Sequence, residues 1–185
     1  AAWGTDWLSN GGCELHLRRP VFDGDLVDCV ISTEDGAPVV TATVDGDARS
    51  SIRLWNHANA PDLRDGDPLK PYTTELTNHQ IDYGLRCGDD LTIYAEQNIA
   101  HPVTWVDLAN RVFIDNLVTG PWIHVRSKVF HEGLALIGSQ VHIESRLLDR
   151  FDSRAGERAV VDMRIYADDQ PVATIEHEAI IVLAS

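Results

Sequence analysis

The hydrophobic pattern changes period once, at Gly120. Before it, Trp105, Leu108, Ala109, Val112, Phe113 and Leu117 recur every three or four residues, which predicts a helix over 105–117 with one broad apolar stripe. Pro102 suits its first turn, where a missing N–H costs nothing, and Gly120-Pro121 stops it. After Gly120 the period is two. Ile123, Val125, Ser127 and Val129 alternate with His124, Arg126 and Lys128. Val141, Ile143, Ser145 and Leu147 alternate with His142, Glu144 and Arg146. Ala159, Val161, Met163 and Ile165, then Ala173, Ile175, His177, Ala179 and Ile181, continue the pattern. Strands are predicted over 122–131, 140–149, 158–167 and 172–183, with turns at His131-Glu132-Gly133, Ser153 to Glu157 and Asp168 to Pro171. One apolar helix followed by four strands, each with one buried face, implies an α+β fold in which an antiparallel sheet wraps a central helix.

The first third also reads mainly as strands. Trp3, Trp7 and Leu8 have the spacing of a short helical face that Asn10-Gly11-Gly12 ends. Strands follow around Leu15 and Leu17, over Leu26 to Thr33, Val39 to Val44 and Ser50 to Trp55. Glu34-Asp35-Gly36-Ala37 and Asp45-Gly46-Asp47 supply the turns. Asn56 to Pro71, with three prolines and several Asp, has the composition of a connector, ordered or mobile. Thr77 to Cys87 approaches helical spacing, with Thr77 as N-cap and Gly88 as terminator. Val21-Phe22-Asp23-Gly24 and Val129-Phe130-His131-Glu132-Gly133 read as one turn in two copies, each ahead of a strand hairpin.

Composition narrows the class without altering this picture. The 185 residues are 44% apolar and 24% charged, with a net charge of −14. That balance argues against a nucleic-acid surface, which needs clustered Lys and Arg. No apolar run approaches a membrane span of about 18 residues, and no basic-then-apolar leader is evident. Cys13, Cys29 and Cys87 have no CxxC spacing, so the expectation is a reduced, cytoplasmic protein with ordinary buried thiols.

Gly88-Asp89-Asp90-Leu91-Thr92-Ile93-Tyr94, with Ala109, Phe113 and Gly120 downstream, resembles the active-site signature of the MaoC-like hotdog hydratases and dehydratases. That pattern runs Gly-Asp-x-Asn-Pro-x-His, then a helix with Ala and Phe, then Ile-Ala-His-Gly. By this resemblance Asp89 falls on the catalytic aspartate, and Tyr94 stands where the family has its catalytic histidine. Phe113 and Gly120 fall on substrate-binding positions, and Ser127 lies close to a helper serine. The resemblance implies a hotdog fold, here a partial double hotdog. An incomplete first half would cover 1–55, a linker 56–74 and a second hotdog domain 75–185. The first half lacks most of its own helix and the strand before it, so either the chain is a fragment or processed piece, or a partner chain completes it. Homodimers or higher assemblies are expected, because an open apolar sheet edge is a liability.

The implied chemistry is hydration of an enoyl thioester of coenzyme A or acyl carrier protein, or its reverse, with no cofactor and no metal. It needs a base, an acid and a donor for the enolate oxygen. Tyr94, with an ordinary pKa near 10, is a poor base at neutrality. His124, on the strand after the helix with Trp122 and Arg126 on the same face, can replace the lost histidine from another direction. Asp107, Asp115 or Asn116 on the helix would instead serve a hotdog thioesterase that activates water. A noncatalytic acyl-binding or scaffold subunit is the third reading. His131, His142 and His177 have no metal-ligand spacing.

Overall fold

The structure is a computed structural model that describes residues 4–57, 59–83 and 91–184. In chain order its elements are α1 (Trp7–Asn10), β1 (Gly12–Leu17), β2 (Asp28–Glu34), β3 (Ala37–Val44), β4 (Asp47–Trp55), β5 (Asp67–Pro68) and β6 (Tyr72–Glu75). These are followed by α2 (Ile93–Gln97), α3 (Val103–Asn116), β7 (Ile123–His131), β8 (Gln140–Ser153), β9 (Gly156–Ala167) and β10 (Gln170–Leu183). The helix and the four long strands stand where the change of period predicts them; β7 starts one residue later, and β8, β9 and β10 each run two to four residues further at one end. Thr77 does cap a helical turn. Its Oγ1 accepts from the His79 N–H while Gln80 Oε1 accepts from the Thr77 N–H at 2.6 Å, but that turn is a single 3-10 turn, Asn78–Gln80. Positions 84–87 of the predicted helix lie outside the described residues.

The strands form one antiparallel sheet in the order β2-β3-β4-β1-β7-β10-β9-β8-β5, with β6 also paired to β8. Its connectivity mirrors itself about the β1–β7 pair: β1, β4, β3, β2 on one side match β7, β10, β9, β8 on the other. Short turns hold the hairpins. Asp35-Gly36, Asp45-Gly46 and Asp168-Asp169 all have positive φ, the backbone whose twist matches two-residue hairpin loops. Gly12 marks the join. A Cβ there would stand 2.4 Å from the Val129 carbonyl oxygen and 2.3 Å from the Trp55 indole nitrogen, so only glycine lets β1 sit this close to β7.

Helix α3 lies on the concave face of the second half. Thr104, Trp105, Leu108, Ala109, Val112 and Phe113 are buried against Val129, Val141, Ile143, Met163, Ile165 and Ile175. This is an antiparallel sheet wrapped on a central helix. The first half has no comparable cover among the described residues. All seven residues of β2 are exposed, with Ile31 77% accessible. This corrects one expectation. Cys13 is buried, and burial pushes its thiol up to about 12, but Cys29 is exposed because it sits on that uncovered edge strand. Cys87 lies outside the described residues. Among the described residues no helix is long and apolar enough to cross a membrane.

The described part of the connector is ordered. Asp67 and Pro68 pair with Leu147 and Arg146, and Asn116 Oδ1 accepts from the Lys70 N–H at 2.9 Å. Arg64 reaches the convex face of the sheet, donating to Asp162 through Nε at 2.7 Å and through a terminal nitrogen at 2.5 Å, and to Glu176 at 2.5 Å. Arg126 continues the network to Glu14, Glu176 and Glu178. Asp162 is only 2% exposed, so Arg64→Ala leaves a buried carboxylate without its guanidinium, keeping the backbone N–H of residue 64 at 3.2 Å. Such groups cost about 1–3 kcal/mol or more. Because the guanidinium is half exposed, a loss near 1 kcal/mol is expected, measured by urea unfolding, and unchanged stability would contradict a clamping role.

Candidate functional site

Strict alternation would put His124 on the convex face with Arg126. A β-bulge prevents it. Glu178 pairs with Arg126 and the next residue, Ala179, pairs with His124, so Val125 is an extra residue in β7. One inserted residue exchanges the two faces of a strand beyond it. His124 therefore turns to the concave side with Ser127, rather than sharing a face with Arg126.

On that side three polar side chains meet. His124 Nε2 lies 2.8 Å from Ser127 Oγ, and Ser127 Oγ lies 2.8 Å from His177 Nδ1. The imidazoles stack with centroids 4.2 Å apart. Phe113 of α3 meets His177 edge-on at 4.8 Å and stacks at 6.4 Å on Trp122. Ser127, His177 and Phe113 are fully buried, while His124 keeps a partly exposed edge. Burial lowers the pKa of His124, opposed by its hydrogen bond to the Arg126 backbone. Burial also drives His177 well below 6.5, reinforced by His124. Both rings are neutral near pH 7.

The partners assign the protons. His124 Nε2 accepts the Ser127 hydroxyl proton, so the neutral ring carries its own proton on Nδ1. Ser127 Oγ in turn accepts from His177 Nδ1–H. His177 Nε2 is buried without a partner. As a bare lone pair it is cheaper to bury than an unpaired N–H, whose loss of water costs about 1–3 kcal/mol. The result is a directed chain from His177 through Ser127 to His124, ending in a neutral base.

The other expected residues are elsewhere. Tyr94, in α2, packs its ring 4.5 Å from His101, which precedes the first turn of α3. Phe113 lies ten residues along that helix from Val103, or about 15 Å, so Tyr94 and His124 stand at opposite ends of α3. Asp89 lies outside the described residues. Gly120 is exposed in the bend after the helix, with no atom within 4 Å of a Cβ built there. Asp107 accepts from the Tyr83 hydroxyl at 2.5 Å. It lines a separate cavity of about 350 Å³ with Asp115, Arg111 and His79. Asn116 is spent on Lys70 and the Val112 carbonyl.

Two residues were not singled out as site candidates from the sequence. His177 stands among Ala173, Ile175, Ala179 and Ile181, and a histidine in an inward-facing row of apolar residues was the available signal. Ile99-Ala100-His101 repeats the Ile-Ala-His of the family pattern, with Pro102 in place of its glycine, directly before α3. His101 is buried, and its Nδ1 accepts from the Val103 N–H at 3.2 Å.

No family model matches the chain, and no curated protein matches its sequence. Solved structures do match. A protein described as an oleoyl thioesterase from Lactobacillus plantarum superposes with a TM-score of 0.62 at 10% identity, covering 95% of this chain and 77% of that one. A MaoC-like dehydratase gives 0.59 at 14% identity, covering 91% and 74%. An (R)-hydratase from A. caviae gives 0.51 at 13% identity, covering 66% of this chain and all of that one. These likenesses establish the hotdog fold.

The neutral rings make stability depend on pH. A buried histidine whose folded pKa is lowered contributes full stability above its unfolded pKa of about 6.5, and loses it as pH falls toward the folded value, because the unfolded chain takes up the proton first. His131, which burial holds at about 4, adds in the same direction. Urea midpoints should drop between about pH 7.5 and pH 5.5, and the drop should shrink in His131→Phe and His177→Phe. A flat profile would mean that the rings are not held neutral.

Proposed function

We propose that the chain acts on an acyl thioester as a hydratase or dehydratase of the MaoC-like type. His124 takes the proton-transfer role that the family pattern gives to a histidine at the position of Tyr94. The observation that carries this reading is the 2.8 Å contact of His124 Nε2 with Ser127 Oγ, itself 2.8 Å from His177, beside Phe113 on the central helix. Once the Ser127 hydroxyl turns away from Nε2, the neutral imidazole can take a proton from water onto Nε2 during addition to an enoyl thioester, and can return it to a leaving hydroxyl in the reverse direction. Ser127 aligns the imidazole, and His177 fixes the hydroxyl. Asp89 is proposed as the second proton carrier and Gly120 as a substrate contact on the resemblance alone. Tyr94, beside His101, orients the segment that leads into α3.

Hydrolysis is the second reading, favoured by Asp107 on the helix at its own cavity with Tyr83. Incubation with a crotonyl thioester and a saturated acyl thioester separates the two by product. The first reading expects a 3-hydroxyacyl thioester, with His124→Ala reducing its formation by about a hundredfold to ten-thousandfold and Asp107→Asn leaving it unchanged. Free acid lost in Asp107→Asn and retained in His124→Ala would favour hydrolysis instead. If neither product forms, a binding role moves ahead.

We also propose that the mirrored strand order is a double hotdog with a first half short of its helix, assembling as homodimers or larger. The exposed β2 edge and its Ile31 support this. Light scattering at micromolar concentration should give at least twice the 20.5 kDa chain mass, and a monomer would count against it.

A further inference from the structure

His124 has a second neighbourhood. Its partly exposed edge lines a cavity of about 600 Å³ where β1 ends and β7 begins, within the range of small-molecule sites, roughly 300–1,000 Å³. Leu17, Val21, Ile123 and Ile180 give it apolar walls, and Arg18, Arg19, Arg49 and Arg158 surround it. No Asp or Glu lines it, in a chain with 29 acidic residues against 15 Lys and Arg. Two of the four arginines are committed, Arg19 to Asp47 at 2.9 Å and Arg158 to Glu178 at 2.8 Å. The other two have no carboxylate among the described residues. Arg18 reaches only Ser51 Oγ, at 3.4 Å, and the Nε of Arg49 is buried with no partner. Backbone geometry holds the pair together, since the N–H groups of Arg18 and Arg19 both donate to the Arg49 carbonyl, at 2.8 and 3.2 Å.

The buried Arg49 N–H without an acceptor is expensive, and it and the exposed Arg18, beside an apolar channel, are complementary to an anion on an apolar arm. Planar guanidinium groups match phosphate oxygens in pairs. We propose that Arg18 and Arg49 bind the phosphates of a coenzyme A thioester whose acyl end runs along this channel to His124. The proposal rests on the acyl-thioester reading and deepens it by choosing the carrier. The site is of small-molecule size and has two free cations, and the field of a chain at net charge −14 opposes a large anionic partner.

The test compares wild type with Arg18→Gln and with Arg18→Gln/Arg49→Gln. The single variant changes an exposed side chain, which keeps the comparison open should the double variant fail to fold. Binding of coenzyme A and of pantetheine, which lacks the phosphates, is measured by calorimetry. KM and kcat are measured on the crotonyl thioester of each. Coenzyme A binding should weaken at least tenfold in the double variant and severalfold in the single one, and should weaken with added salt in wild type. KM for the coenzyme A thioester should rise with little change in kcat, and the pantetheine thioester should be indifferent to both substitutions. Equal coenzyme A affinity in wild type and variants would overturn the arginine assignment while leaving the thioester reading intact. Turnover of acyl carrier protein thioesters in strong preference to coenzyme A thioesters would overturn the choice of carrier. Wild type that neither binds coenzyme A nor turns over either thioester would overturn both the assignment and the reading beneath it.

Discussion

Helix α3 can bury its stripe only if the strands that follow it curl around it. Ala109, Val112 and Phe113 are completely inaccessible, in a core to which the concave face of β7 to β10 supplies most of the buried residues. At about 25 cal/mol per Å² of apolar surface, this contact outweighs any single polar interaction in the molecule. It also dictates where chemistry can occur. Strand positions facing the helix are dry, so a polar side chain there needs a partner. Ser127, His177 and His124 answer that demand by bonding one another.

That demand connects packing to proton transfer. Three polar groups in a row between apolar neighbours satisfy their hydrogen bonds in one direction only, ending at the unprotonated Nε2 of His124, which accepts from Ser127. The same burial that threatens stability keeps the imidazole neutral and therefore basic. On the opposite face the sheet handles charge differently. Arg64 and Arg126 thread between Asp162, Glu176, Glu178 and Glu14. The charged and neutral polar networks are thus separated by the thickness of one sheet.

Much of this arrangement was legible in the sequence, because burial writes its period there. The change at Gly120 located the helix and the four strands, and Asp-Gly pairs located two of the hairpins. The orientation of His124 was not legible. An alternating pattern assigns faces by parity, and a bulge at Val125 breaks parity without leaving a glycine or proline to announce it. Tyr94 and His124 were also grouped by chemical type across a gap that the length of α3 keeps open. His177 could have been found, since it interrupts an otherwise apolar inward row.

The proton arrangement at His124 decides whether the cluster is a base or merely a packed group. Nitrogen-15 NMR of the imidazoles near pH 7 reads it directly. The expected result is a neutral His124 carrying its proton on Nδ1, with Nε2 bare and its shift moved by Ser127→Ala. An imidazolium at that pH, or a proton on Nε2, would mean that the chain of hydrogen bonds runs the other way and that His124 is not the base.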